Sequence, residues 1–149
     1  MQIRQSQIVD VVAHETVIIS APCNIYGCTF NEGVFIGPFC EIQSNVLIGK
    51  RTRVQSHTFI CSNVSIGCDG FVGHHVCFIN DNWASGERAN GDRSKWGKTS
   101  IGDRVLIGSG AIIFPVRIAD DVIVGAGTLV NKDIVESGVY VGNPMRKIK

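Results

Sequence analysis

The chain has 149 residues and a formal net charge of +1, enough for one domain spanning 1–149 and too little charge to gather nucleic acid or an anionic membrane surface. No stretch reaches the roughly 18 apolar residues of a membrane span, and Met1–Gln7 lacks the apolar core of a signal peptide, so a cytoplasmic protein is expected. Seventeen glycines against two tryptophans favour many turns and a core of small aliphatics.

Past the N-terminal segment, where His14 is given no role, a period of six emerges. Phe30 begins it, and aliphatics follow at Ile36, Ile42, Ile48, Val54, Ile60, Ile66 and Val72, with Phe78 next. Glycine often comes directly after, as at Gly37, Gly49, Gly67 and Gly73, and a small or β-branched residue stands four places on. The period matches neither an amphipathic helix nor an alternating strand. It fits short strands joined by corners, three hexads to a triangular coil of 18 residues, with successive coils paired as parallel strands about 4.8 Å apart. The aliphatics are expected to point inward at the corners and the glycines to permit the corner backbone.

Residues 18 apart then fall at one place on successive coils. Three such columns are Phe39–His57–His75, Pro38–Ser56–His74 and Asn45–Asn63–Asp81. Asn and Asp are also ordinary turn residues. His57 and His75 precede an inward residue and so are expected to face outward. There they could carry protons near neutral pH or serve only as surface or subunit-contact residues. Six cysteines at 23, 28, 40, 61, 68 and 77 show no CxxC spacing and are read as reduced thiols.

Between Phe78 and Ile101 the spacing is 23, so about 17 residues are inserted as a long loop at about residues 80–100. It is polar and holds both tryptophans, Trp83 and Trp96, which disordered segments rarely carry. The period resumes at Ile101, Ile107 and Ile113. A five-residue step at Pro115-Val116 leads to Ile118, then Val124 and Val130.

The tracts Ile36-Gly37-Pro38-Phe39-Cys40-Glu41-Ile42-Gln43, Ser56-His57-Thr58-Phe59-Ile60-Cys61 and Gly73-His74-His75-Val76-Cys77-Phe78-Ile79-Asn80-Asp81 resemble those of bacterial nucleotide-linked amino-sugar N-acetyltransferases. Ile107–Ala111, Val124–Asp133 and Val141-Gly142-Asn143-Pro144 resemble hexapeptide-repeat acyltransferases in general. The resemblance runs from about residue 18 to the end. It implies an all-β fold, a single-stranded left-handed parallel β-helix, assembled as a homotrimer with sites between prisms. It also implies acetyl-CoA as co-substrate and a UDP- or dTDP-linked amino sugar as acceptor, in surface polysaccharide synthesis.

By the same resemblance, His74 or His75 acts as base or as donor to the thioester oxygen, and Asn80 and Asp81 orient the acceptor amine. Glu41, Gln43 and His57 line the sugar-nucleotide side. The backbones of Gly110 and Ala126 meet the pantetheine arm, and Lys132, Arg146 and Lys147 meet the CoA phosphates. No metal is expected: β-helices of the gamma carbonic anhydrase type place two histidines five apart, and this chain has no such pair. Two departures stand out. The loop opens Asn82-Trp83-Ala84-Ser85 where relatives carry proline and arginine, and a Pro-Gly-Val corner is shortened to Pro115-Val116. Transfer to a hydroxyl, or a non-catalytic β-helix subunit, are the alternatives.

Overall fold

In the computed structural model, which describes residues 7–149, the hexads form a triangular solenoid of three sheets. Face I stacks Ile8–Val9, Asn24–Tyr26, Glu41–Ile42, Phe59–Ile60, Cys77–Phe78, Ile112–Ile113 and Leu129–Val130. Face II stacks Val12–Ala13, Cys28–Phe30, Val46–Ile48, Val64–Ile66, Thr99–Ile101 and Arg117–Ile118. Face III runs from Ile18–Ile19 through Phe35–Ile36, Arg53–Val54, Phe71–Val72, Leu106–Ile107 and Val122–Val124 to Gly138–Val141. Every pairing is parallel until Arg146–Lys147 folds back antiparallel on Gly138–Val141 and closes that edge.

The sixth-residue aliphatics fill the prism: Ile36, Ile42, Ile48, Val54, Ile60 and Phe78 are all fully buried. They lie on the strands, however, and not at the corners where they were expected. The small residue four places on is the second inward position. When it is threonine its hydroxyl is satisfied: Thr52 and Thr58 donate to the Gly67 and Gly73 carbonyls at 2.8 and 2.9 Å.

The glycines after the aliphatics have a different task from the one expected. A Cβ at Gly37 would stand 2.7 Å from the Ser56 nitrogen of the next coil, and one at Gly73 2.6 Å from the Ser109 nitrogen. These positions let coils stack closely. The left-handed corner conformation falls instead mostly on side-chain-bearing residues, among them Phe39, Asn45, Arg51, His57, Asn63, Asp69 and His75.

The coils reach further toward the N-terminus than the hexad run indicated. Ile8 pairs with Ile25, and Ile18 with Phe35. The five-residue step from Ile25 to Phe30 hides this, as the step from Ile113 to Ile118 shortens the wall near the other end. A coil with such a step repeats at 17, as from Ser100 to Arg117, where a full coil repeats at 18, as from Cys28 to Val46. Val64 pairs with Thr99, 35 residues on, because the inserted loop intervenes. That pairing sets Lys98, not Asp81, above Asn63; the expected Asn45–Asn63–Asp81 column is broken at its third rung.

Each corner carries its own column. At the II/III corner charges alternate. Arg51 grips Asp69 through two hydrogen bonds of 2.6 and 2.7 Å, and Arg104 grips Asp121 at 2.7 and 2.9 Å. All six cysteines are free thiols. No helix among the described residues is long and apolar enough to cross a membrane.

Candidate active site

The III/I corner carries an aromatic stack. Phe39, His57 and His75 adopt φ of 61°, 62° and 56°, which projects each ring outward at the same place on three successive coils. Their centroids are 4.9 Å apart between Phe39 and His57 and 4.7 Å between His57 and His75, with the two imidazoles nearly parallel at 17°. The register Cys77–Ile112–Leu129 carries the column on to Gly110 and Gly127. These two glycines keep the corner φ, at 71° and 66°, but a Cβ built on either would meet nothing within 4 Å. The stack therefore ends at His75, and above it is an open slot with a backbone floor.

The slot is shaped as much by neighbours as by its glycines. The Gly110 N–H donates to the His74 carbonyl at 2.8 Å and the Gly127 N–H to the Ser109 carbonyl at 2.9 Å. Gly110 thus contributes space rather than a hydrogen-bond donor. Ala126 lies beside the slot and is exposed. His74 is exposed as well, but stands one place off the stack, its N–H donating to the Ser109 hydroxyl at 3.2 Å.

Face I leads away from this corner. Glu41 and Gln43 stand on it, the Gln43 amide donating to the Glu41 carboxylate at 3.0 Å. Phe59 pairs with Glu41 on one side and Cys77 on the other. Burial pushes the Cys77 thiol up from its ordinary range, so it stays protonated and makes a poor nucleophile. The loop leaves from the far edge of face I, so the histidines and the loop sit at opposite edges of one face, not side by side.

Asn80 and Asp81 start the loop and are tied into it. The Asn80 side chain donates to the Ser62 carbonyl at 3.3 Å. The Asp81 carboxylate accepts from the backbone N–H of Trp83 at 3.3 Å and of Ala89 at 2.8 Å. The loop then turns back toward the N-terminal coils. Tyr26, on face I, has its phenol pushed up by burial, with Glu41 acting the same way and Arg93 of the loop opposing.

The basic residues read from the sequence as phosphate contacts do come together. Lys132, Arg146 and Lys147 line one cleft of about 390 Å³ at the C-terminal end, with Asp133, Glu136, Tyr140 and Met145. Lys147 is partly committed there, bonding Glu136 at 3.0 Å. No three histidine, cysteine or acidic side chains converge as a metal site among the described residues.

Residues 98–132 match the model of the hexapeptide repeat of succinyl-transferase. That match falls on the coils already seen to repeat. The chain is a hexapeptide-repeat protein. Its relatives include the "Putative acetyltransferase YvoF" of Bacillus subtilis (strain 168), 33% identical over 68% of this chain. The hexapeptide-repeat chain spans only 58% of the length of YvoF.

Two solved structures share its fold. A mutant form of perosamine N-acetyltransferase from Caulobacter crescentus, in complex with CoA and GDP-perosamine, superposes with a TM-score of 0.69 at 22% identity, over 97% of this chain and 58% of the other. A mutant form of AntD, an N-acyltransferase from Bacillus cereus, in complex with dTDP and coenzyme A, does so with a TM-score of 0.73 at 23% identity, over 94% and 83%. At such identities the likeness is one of fold.

Spacing by 18 placed Phe39 in the histidine column but gave it no part to play; the ring stacking shows it as the base of the stack. Gly127 was not singled out as part of the slot, because the 35- and 17-residue steps hid its place in the column.

Proposed function

We propose that this protein transfers an acetyl group from acetyl-CoA to the amine of a nucleotide-linked amino sugar. The observation that carries this reading is the aromatic stack that stops at His75 beneath two glycines. The column supplies a proton acceptor at its end and then leaves room for a slender chain against the backbone. In the C-terminal cleft Lys132 and Arg146, which have no ion pair among the described residues, are the groups that would meet the phosphates of the same molecule, beside the Lys147–Glu136 pair. The relatives support the acceptor: the fold neighbours hold CoA together with GDP-perosamine or dTDP.

Acetyl-CoA, when bound, supplies a thioester already activated toward attack. The chain's own residues then have a limited task. His75, stacked on His57, which in turn rests against Phe39, takes the proton that the acceptor amine loses. His74, one place off the stack, is the alternative donor toward the thioester oxygen. Glu41 and Gln43, on face I, hydrogen-bond the sugar. Asp81 and Asn80 act by fixing the loop that flanks the acceptor. No thiolate takes part, in keeping with the raised Cys77.

The protein acts as a homotrimer in this reading. Face III supports it: Ile18, Phe35, Phe71, Leu106 and Ile123 form an outward column, broken only by Arg53. Ile18, Phe71, Leu106 and Ile123 are exposed in the single chain. The substrates named are those of the cytoplasm, where surface-polysaccharide precursors are made.

Thiol release from acetyl-CoA, measured against UDP- and dTDP-amino sugars with hydroxyl-only sugars as controls, tests the reading. Turnover confined to amino sugars is expected. His75→Ala is expected to lower kcat by about 10²-fold with the CoA dissociation constant unchanged. Turnover on hydroxyl sugars alone would replace the amine with a hydroxyl acceptor. A chain that binds no CoA would be a structural subunit.

A further inference from the structure

The I/II corner holds a second built cleft that none of these roles uses. It measures about 440 Å³ and lies where the long loop returns over the corner. Ser44 and Ser62 form one wall, their hydroxyls 3.2 Å apart, and Asn45 donates to Asn63 at 2.8 Å beside them. The loop supplies the opposite wall with Arg93, Trp96 and Lys98. A neighbouring cleft of about 350 Å³ shares Asn45, Asn63 and Lys98 and continues around the corner onto face II. Together they make a trough suited to an extended ligand rather than a single ion.

Three features define its chemistry. The first is unspent positive charge. Lys50, Arg51, Arg104 and Lys147 are each paired to a carboxylate, whereas neither Arg93 nor Lys98 has an ion pair among the described residues. No acidic side chain lines the trough. The second is Trp96, half-buried against the corner, with the Arg93 guanidinium 5.7 Å from its ring centroid. An indole with a guanidinium beside it is a platform for a planar aromatic group next to an anion. The third is the asparagine pair. Its mutual hydrogen bond uses one edge of each amide, leaving the Asn45 oxygen and the Asn63 nitrogen able to meet a ring's polar edge. The insertion itself creates the arrangement, because only the 35-residue step brings Lys98 above Asn63.

We infer that this trough binds the nucleoside diphosphate of the acceptor, with the base on Trp96 and the diphosphate between Arg93 and Lys98. The inference rests on the nucleotide-linked acceptor proposed above. It assigns CoA to a separate place, since the cleft of Lys132, Arg146 and Lys147 lies at the C-terminal end of the stack. The trough is one hexad from His75 along face I, at most about 20 Å of extended chain.

The test uses the full chain with Trp83→Phe, so that indole emission reports Trp96 alone. dTDP, UDP and GDP are titrated one at a time, with CoA followed by calorimetry. Saturable quenching by at least one nucleoside diphosphate is expected, weakening as salt is raised. Arg93→Gln and Lys98→Gln, both at exposed positions, are each expected to weaken it at least tenfold while CoA affinity is unchanged. Nucleotide binding that ignores both substitutions would overturn the trough and leave acetyl transfer to a nucleotide sugar standing. If no nucleoside diphosphate binds a chain that still takes CoA and acetylates a free amino sugar, the trough and the nucleotide-linked acceptor both fall.

Discussion

Two glycines of this chain look alike in sequence and do opposite things. Gly73 follows an aliphatic and has no room: a Cβ would stand 2.6 Å from the Ser109 nitrogen and 2.9 Å from the Ile107 oxygen of the coil above. Backbone cannot yield as a side-chain tip can, so Gly73→Ala is expected to cost about 1–3 kcal/mol, as overpacking does, read from chemical denaturation. Gly110 has room but a corner φ of 71°. Asparagine tolerates that conformation and already holds it at Asn45 and Asn63. Gly110→Asn is therefore expected to leave the melting temperature nearly unchanged while filling the slot above His75. CoA affinity measured by calorimetry should fall at least tenfold; undiminished affinity would mean that the slot is not where the pantetheine arm lies. A glycine inside a hexad does not announce which role it has. The distinction comes from its phase: the position after the aliphatic faces the next coil, and the position three after it makes the corner.

The long loop is the element on which sequence and structure differ most. Its presence and its length were plain from the 23-residue gap, because the hexads on either side are strong. Its path was not, since nothing in the period says that a strand will resume above Asn63 with Lys98, or that the loop will fold back toward Tyr26. The same limit applies at the N-terminus, where the step of five between Ile25 and Phe30 conceals a first coil that shows only in its pairings, Ile8 with Ile25, Val12 with Thr29 and Ile18 with Phe35. Asp81 shows how a site residue read from a motif can also be an architectural one. Both its oxygens accept from loop backbone, at Trp83 and Ala89. Asp81→Ala is expected to open residues 82–95 to limited proteolysis while the global melting temperature moves little, because local opening of a loop draws on few core contacts. Asp81→Asn keeps one acceptor oxygen and should be cleaved at an intermediate rate. A variant resistant to protease yet without acetyl transfer would instead put Asp81 at the acceptor.

Across the whole molecule, stability is a stack of repeated layers, and the II/III corner adds an electrostatic column along it. Hydrogen bonds from Arg51 hold the Asp69 carboxyl below its usual range, and those from Arg104 do the same for Asp121. A carboxylate depressed in the folded state contributes stability above its unfolded pKa, about 3.9, and loses it as pH falls through the folded value. Asp69→Asn is thus expected to lower the melting temperature at pH 7 and to converge with the parent in acid, once the pH lies below the depressed folded value. One molar salt should shrink the difference, since these pairs are exposed. Face III is the surface that the proposed ring would use. Apart from Arg53, its outward column is apolar from Ile18 to Ile123, and Phe71 and Leu106 sit at its middle, 37% and 41% exposed. An isolated prism gains nothing from such a column, whereas a closed ring of three copies covers it once per subunit. Leu106 points away from the core, so Leu106→Glu leaves the coil packing intact and the circular dichroism spectrum unchanged. Sedimentation equilibrium should then find a trimer for the parent chain and a monomer for Leu106→Glu, with acetyl transfer lost if the site lies between prisms. A parent chain that sediments as a monomer would reject the ring, and a substituted chain that stays trimeric would move the interface off face III.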